Sequence, residues 1–329
     1  MKFENSFYLP SGRIFLLKTN DNYPIECTEM RDVSVNGKDH YEVRNSLDPH
    51  VIWNHLKPYN DKWLLTVSTQ KGCAHSCEFC DVTQLKFKGN LTQNEIEDQI
   101  KTILQYTPYV IKSDKVKIGF ARMGEPSHNI ENVINAMKNL NNISNELNRD
   151  FKWLPCFNSI LPRKTIENNN GFDIIDKIIE LKESFYKGFL HFQISVNSTD
   201  EQMRKKLFGG ANVLSIEEVI NYINKKQITN RTITLNFIVM QGIEVDVNKL
   251  VKMGLNGNKF KVKLIPLNNT IKSESKQLKT LANYSNYEEL ELLGKQFNEA
   301  GVPTVIDAIA KCEEAGLCCG QLAHIFMKQ

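Results

Sequence analysis

The chain has 329 residues, of which 41% are hydrophobic and 24% charged, with a formal net charge of +3. That length accommodates one large domain with a small appendage or two ordinary ones, and the composition is that of a soluble globular protein. No run reaches the roughly 18 apolar residues of a membrane span, and so small a charge neither demands nor excludes an RNA partner.

Met1-Lys-Phe-Glu-Asn5 lacks the apolar core of a signal peptide, so the expected location is the cytoplasm, with no membrane partner. Eight cysteines in a reducing compartment point to metal and thiol chemistry rather than to cross-links.

In chain order, Arg13–Lys18, Pro24–Met30 and Tyr41–Arg44 read as short strands of a small β unit, residues 1–61, with Asn45–Tyr59 as a connection. From residue 62, extended segments alternate with helical ones. The expected strands are Trp63–Thr69, Lys115–Ala121, Trp153–Asn158, Phe189–Val196, Thr232–Val239 and Phe260–Pro266, all rich in Val, Ile, Phe and Thr. Thr92-x-x-Glu95 and Ser215-x-x-Glu218 are capping-box signatures that open two of the intervening helices.

Such β–α units imply parallel strands with crossover helices. A doubly wound sheet and an open barrel both fit. A partial (β/α)6 TIM-like barrel over residues 62–310 is preferred, partly because a cysteine loop follows its first strand directly. Asn268–Ser285 is a polar stretch without periodicity, and residues 311–329 form a cysteine-bearing tail over the barrel mouth.

The cysteine loop reads Lys71-Gly-Cys-Ala-His-Ser-Cys-Glu-Phe-Cys80 and sets Cys73, Cys77 and Cys80 in a CxxxCxxC spacing. Structural zinc wants four ligands, usually in two pairs, and no matching second pair follows. Three thiolates this close suit three irons of a 4Fe–4S cubane, leaving the fourth iron open to a cofactor. Radical S-adenosylmethionine (SAM) enzymes use that vacancy: SAM chelates the open iron and is cleaved to a 5′-deoxyadenosyl radical.

Other distinctive residues fall at strand ends, where the C-terminal rim of a barrel gathers reacting groups. Arg122-Met-Gly-Glu-Pro126 follows the second strand, Asn158 and Ser159 the third, Ser195 ends the fourth and Asn268 follows the sixth. Glycine there permits close backbone approach, and a carboxylate can hold the SAM ammonium. Ser195 and Asn268 read equally well as turn residues. The tail carries Cys312, Cys318 and Cys319, either small buried thiols or a thiol arm reaching over the barrel.

Taken together, Val67-Ser-Thr-Gln-x-Gly-Cys-Ala-x-x-Cys-x-Phe-Cys80, Asn90-Leu-Thr92, Met123-Gly-Glu-Pro126, Leu264-Ile-Pro-x-Asn268 and Cys319-Gly-Gln-Leu-Ala323 resemble the RlmN/Cfr family of radical SAM RNA adenosine methyltransferases. The similarity runs from about Ile14 to Ala323. It implies Cys73, Cys77 and Cys80 as ligands of one 4Fe–4S cluster. It implies Phe79, Gly124, Glu125, Ser195 and Asn268, with Asn158 and Ser159, as SAM contacts.

By the same resemblance, Cys319 is the methyl carrier and Glu26 a carboxylate for proton transfer. In the family's cycle one SAM methylates the carrier thiol. A second SAM supplies the radical that makes it an S-methylene radical, and a further cysteine resolves the adduct by forming a disulfide. An RNA or nucleoside substrate, a donor such as flavodoxin or ferredoxin, and a monomer follow as expectations.

The chain departs from that pattern at Thr66, where the family has its resolving cysteine. A hydroxyl cannot form a disulfide. Cys312, Cys156, Cys318 and Cys27 are the candidate replacements, and Cys318 ranks low because a vicinal disulfide with Cys319 is strained. Most of the family's N-terminal extension is also expected to be missing. The alternative is a repurposed radical SAM enzyme acting on a non-RNA substrate, its tail cysteines binding a second cluster or metal with Cys27, Cys156 or His324. A non-catalytic iron–sulfur or SAM-binding module is the third reading.

Overall fold

The computed structural model describes residues 1–35, 42–44, 46, 48–281, 287–307 and 318–327. Cys312, Tyr41, about half of the expected tail and part of the Asn268–Ser285 stretch lie outside the described residues. The chain divides into two compact units. One comprises Met1–Ala74, Asp81–Cys156 and Ala310–Gln329, the other His75–Cys80 and Phe157–Ile309. The N-terminal strands pair directly into the sheet of the first unit.

In the first unit, β1 (Lys2–Leu9), β2 (Gly12–Lys18), β3 (Pro24–Arg31) and β4 (Trp63–Thr66) form an antiparallel run. A small ladder, β5 (Gln70–Lys71) with β6 (Gly89–Asn90), follows the cysteine loop's approach. The sheet continues in parallel from β4 into β7 (Lys112–Gly119) and β8 (Asp150–Ser159), whose last three residues pass into the second unit. There β9 (His191–Ser195), β10 (Ile233–Val239), β11 (Phe260–Pro266) and β12 (Thr304–Ile306) are parallel neighbours in that order. The mixed α/β class with parallel β–α units is the one expected from the sequence.

Helix Gln93–Tyr106 opens on the capping box anticipated at Thr92 and Glu95, and helix Ile216–Asn224 on that at Ser215 and Glu218. Each box satisfies two otherwise orphaned amides. Helix Gln93–Tyr106 buries Ile96, Ile100, Ile103 and Leu104, a stripe at helical spacing. Elsewhere in the first unit, Phe15 and Trp63 are wholly buried. Trp63 Nε1 donates to Glu29 at 3.0 Å, and Arg13 Nε donates to the same carboxylate at 3.3 Å. Burial still pushes the Glu29 carboxyl above its ordinary value against these partners.

One expected strand is not a strand. Residues 42–44 form a helical turn with Val43 buried. Four alternating residues are too few to separate a period of two from one turn of helix. Conversely, β1 and β12 were not foreseen. Both are short or polar edge strands, with little burial to leave an apolar pattern.

Candidate active site

In the first unit, the turn after β7 carries the Met-Gly-Glu-Pro motif. Gly124 has φ +100°, and a Cβ placed on it would lie 2.6 Å from the Gln70 side chain. Only glycine fits. The same Gln70 side chain accepts from the amides of Glu125 at 3.0 Å and Ala74 at 3.3 Å, tying the motif to the start of the cysteine loop beside Cys73. Asn129 Nδ2 donates to the carbonyls of Thr69 and Leu91, each at 2.7 Å. The Glu125 carboxylate is nearly buried and caps the short turn that follows, accepting from the Ser127 amide at 3.2 Å and from the Ser127 hydroxyl.

The described part of the tail is seated in the same unit on one carboxylate. Glu26, on β3, is completely buried. Its Oε2 accepts from Arg122 Nε at 2.9 Å, Arg122 Nη2 at 2.7 Å and the Gly320 amide at 3.0 Å. Its Oε1 accepts from the Ala323 amide at 2.9 Å, near the start of helix Gln321–Met327. Arg122 turns its remaining arm to the tail thiol, Nη1 donating to Cys319 Sγ at 3.5 Å.

Burial disfavours the Arg122 charge, but the Cys319 sulfur and the Glu26 carboxylate outweigh it and hold the guanidinium pKa above its ordinary value. Gly320, at φ +82°, brings the tail so near Val82 that a Cβ would meet its backbone at 2.8 Å. Gln321 completes the seat, bonding Asp81 and accepting from the Cys318 amide at 2.9 Å.

Beside this seat runs a row of small side chains. Thr28 pairs with Thr66 across the antiparallel ladder, Thr66 with Gly119, and Gly119 with Cys156 in parallel register. Cys156 is buried in that row. Cys27 alternates to the other face, where its sulfur approaches the Gln99 carbonyl of helix Gln93–Tyr106 at 3.9 Å. Burial pushes the Cys27 thiol up, which disfavours its nucleophilic form.

In the second unit, Cys77 and Cys80 share one turn, the Cys80 amide donating to the Cys77 carbonyl at 3.3 Å. The turn is pinned by Glu78, whose amide donates to the Leu207 carbonyl at 2.9 Å, and by Thr270, whose hydroxyl donates to the Phe79 carbonyl at 3.1 Å. The Phe79 ring packs on Leu207, Met240 and Leu267. Ser159 Oγ accepts from the Leu161 amide at 2.8 Å. Asn158 and Ser195 are half-buried, and Asn268 is exposed after β11.

Among the described residues, no three His, Cys, Asp or Glu side chains gather into a metal-binding group. Cys73, Cys77 and Cys80 are half-buried thiols in no disulfide, and three thiols at this sequence spacing are the donor chemistry an iron–sulfur cluster takes. The sequence left Arg122 without a role, because its partners lie 96 and 197 positions away.

A model of the radical SAM superfamily matches residues 67–253. The probable dual-specificity RNA methyltransferase RlmN of Clostridium botulinum (strain Hall) is 30% identical over 288 residues, 86% of this chain and 75% of that protein. The protein of the same name from Leptospira interrogans serovar Lai is 30% identical over 210 residues, 62% of this chain. The chain spans about half the length (53%) of that Leptospira relative. A solved radical SAM methyltransferase from Sphaerobacter thermophilus superposes with a TM-score of 0.66 over 97% of this chain and 80% of that one. At 18% identity this likeness bears on the fold alone. The chain belongs to the radical SAM superfamily and, within it, to the RlmN/Cfr-like enzymes.

Proposed function

We propose that the protein is a methyltransferase that uses Cys319 as a methyl carrier and acts on an RNA adenosine or a related nucleoside. The observation that carries this reading is the seating of the tail, in which a buried carboxylate and guanidinium fix the turn bearing Cys319. A thiol that merely fills space has no need of such a seat.

By the family resemblance, Cys73, Cys77 and Cys80 would hold a 4Fe–4S cluster, and Phe79, Gly124, Glu125, Asn158, Ser159, Ser195 and Asn268 would be the contacts to SAM. The cluster with SAM supplies methyl groups and a carbon-centred radical when bound. The chain's own residues then have distinct tasks. Gln70 joins the Met-Gly-Glu-Pro turn to the cysteine loop through two amides, so both keep one geometry. Glu125, which here accepts from the Ser127 amide and hydroxyl, is the carboxylate that would hold the SAM ammonium, a charge-assisted partner stronger than a neutral hydroxyl.

Cys319 offers the sulfur. Glu26, expected from the resemblance to move protons, also holds the tail backbone and Arg122 in this arrangement. Cys156 is the better candidate for a resolving thiol, since it lies in the sheet row of Thr66 while Cys27 faces the helix side.

The test is peptide mass spectrometry of the anaerobically reconstituted protein incubated with SAM. A methyl group on the peptide bearing Cys319 is the expected result, and an unmodified peptide rejects the carrier role. The hydroxyl pair at Thr28 and Thr66 favours one second reading, a radical SAM enzyme of this family turned to a non-RNA substrate. In that case SAM is cleaved reductively while Cys319 stays unmethylated.

A further inference from the structure

The Glu26–Arg122 pair offers more hydrogen-bonding capacity than neutralising one buried carboxylate requires. Arg122 Nε and Nη2 already form a two-pronged contact with Glu26 Oε2. The third nitrogen, Nη1, is directed at Cys319 Sγ at 3.5 Å. Both Arg122 and Glu26 are at least nine-tenths buried, with side-chain exposures of 9% and 0%. A guanidinium keeps its charge at any working pH and its planar fork fixes where each N–H points. The sulfur is thereby held at a set position against a permanent cation. A small local turn could have presented the thiol without burying two charges, an arrangement that seldom adds stability in its own right.

We propose that Arg122 is a positioning residue for the Cys319 thiol: anchored on Glu26 through two nitrogens, it holds and activates the tail sulfur through the third. The inference rests on the reading of Cys319 as a reactive thiol, and it assigns Arg122 a role beyond tail anchoring. A permanent cation beside a cysteine sulfur raises its nucleophilic reactivity. Arg122 also interacts with the Cys318 sulfur, but more weakly and without the hydrogen bond it makes to Cys319, so loss of that cation lowers the reactivity of Cys319 more than that of Cys318.

The test needs neither substrate nor methyl transfer. The reduced full chain is alkylated with iodoacetamide at neutral pH, and the rates at Cys319 and Cys318 are compared by peptide mass spectrometry. Their ratio is the readout, because a general loosening of the tail raises both rates together.

The variants are Arg122→Lys, Arg122→Met and Glu26→Gln combined with Arg122→Met. The combined variant leaves no lone charge buried, which keeps the test available if Arg122→Met alone fails to fold. The Cys319-to-Cys318 ratio is expected to fall about tenfold in the combined variant and in any folded Arg122→Met. Arg122→Lys, which keeps a cation, is expected to retain most of the wild-type ratio.

An unchanged ratio in the combined variant overturns the proposal, as does an equal rise at both cysteines, which would reduce Arg122 to a tail anchor. Methylation of Cys319 by SAM in the unaltered chain is measured separately. A lost methyl with a preserved Arg122 effect therefore rejects the carrier role and not this inference.

Discussion

Thr66 and Thr28 face each other across the β3–β4 ladder with their hydroxyl oxygens 2.5 Å apart. The position where the family resemblance leads one to expect a resolving thiol is thus occupied by one half of a hydroxyl pair. Thr66→Val strands the Thr28 hydroxyl in a largely buried setting, at a cost of about 1–2 kcal/mol. Thr66→Ser keeps the donor and acceptor and stays within about 0.5 kcal/mol. Urea unfolding of the two variants checks this, and equal midpoints would remove the pair from the stability account.

Glu26→Ala takes away the carboxylate that Arg122 bonds through two nitrogens, and with it the acceptor for the Gly320 and Ala323 amides. Removing one partner of a buried ion pair is expensive, so stability falls by about 3–5 kcal/mol. The tail should also become the first site of proteolytic cutting. Thermal unfolding together with limited proteolysis reads both effects. A tail that stays protected in Glu26→Ala contradicts the seat.

Cys77→Ala and Cys319→Ala are expected to separate two chemistries. The first removes a cluster ligand and abolishes reductive cleavage of SAM to 5′-deoxyadenosine. The second leaves cleavage intact and removes methyl transfer. Anaerobic assays with dithionite, followed by chromatography of the nucleoside products, distinguish them. Cleavage surviving in Cys77→Ala would sink the ligand assignment.

Arg163 grips Glu218 with two nitrogens, Nη1 at 3.0 Å and Nη2 at 2.5 Å. The Arg163 guanidinium is the main reason the Glu218 carboxyl is held down to about 2, with the Ser215 amide and hydroxyl helping and burial opposing. The unfolded-chain value is about 4.3, so the contribution is complete above that pH and is lost as pH falls from there through about 2. The side chain is more than a third exposed (37%), so solvent screening reduces the pair and its cap to about 1 kcal/mol. In Glu218→Gln the acid limb of the stability profile should flatten by that amount. Unfolding measured at pH 6, 4 and 2 would show it, and parallel profiles would argue against it.

Much of the β–α frame was legible because its strands are β-branched and its helices open on recognisable boxes. Phe260–Pro266 matches residue for residue, and Thr92 and Ser215 cap as expected. Asn170 with Asp173 forms a third box by the same physics, and no sequence signal was taken from it. The polar strand Lys2–Leu9 escaped because edge pairing needs no apolar stripe.

Within the candidate site, the cysteine spacing is local and could be read directly. The seat of the tail could not, since Glu26, Arg122 and Cys319 are joined only by the register of β3, β4 and β7. Glu26 drew attention through family resemblance, while its bonds to Arg122 and the tail amides could not be read from local sequence.

The bond from Ala323 to Glu26 closes a span of 297 positions. So long a closure carries a large entropy cost, recovered only once the intervening strands have aligned. Glu26 sits on β3 and Arg122 after β7, with β4 between them, so the receptor for the tail does not exist until all three are paired. The thiol therefore reaches its place only after those three strands have paired. A chain that has misregistered any one of those strands leaves Cys319 undocked, and the docked cysteine serves as a built-in report that the first unit was assembled correctly.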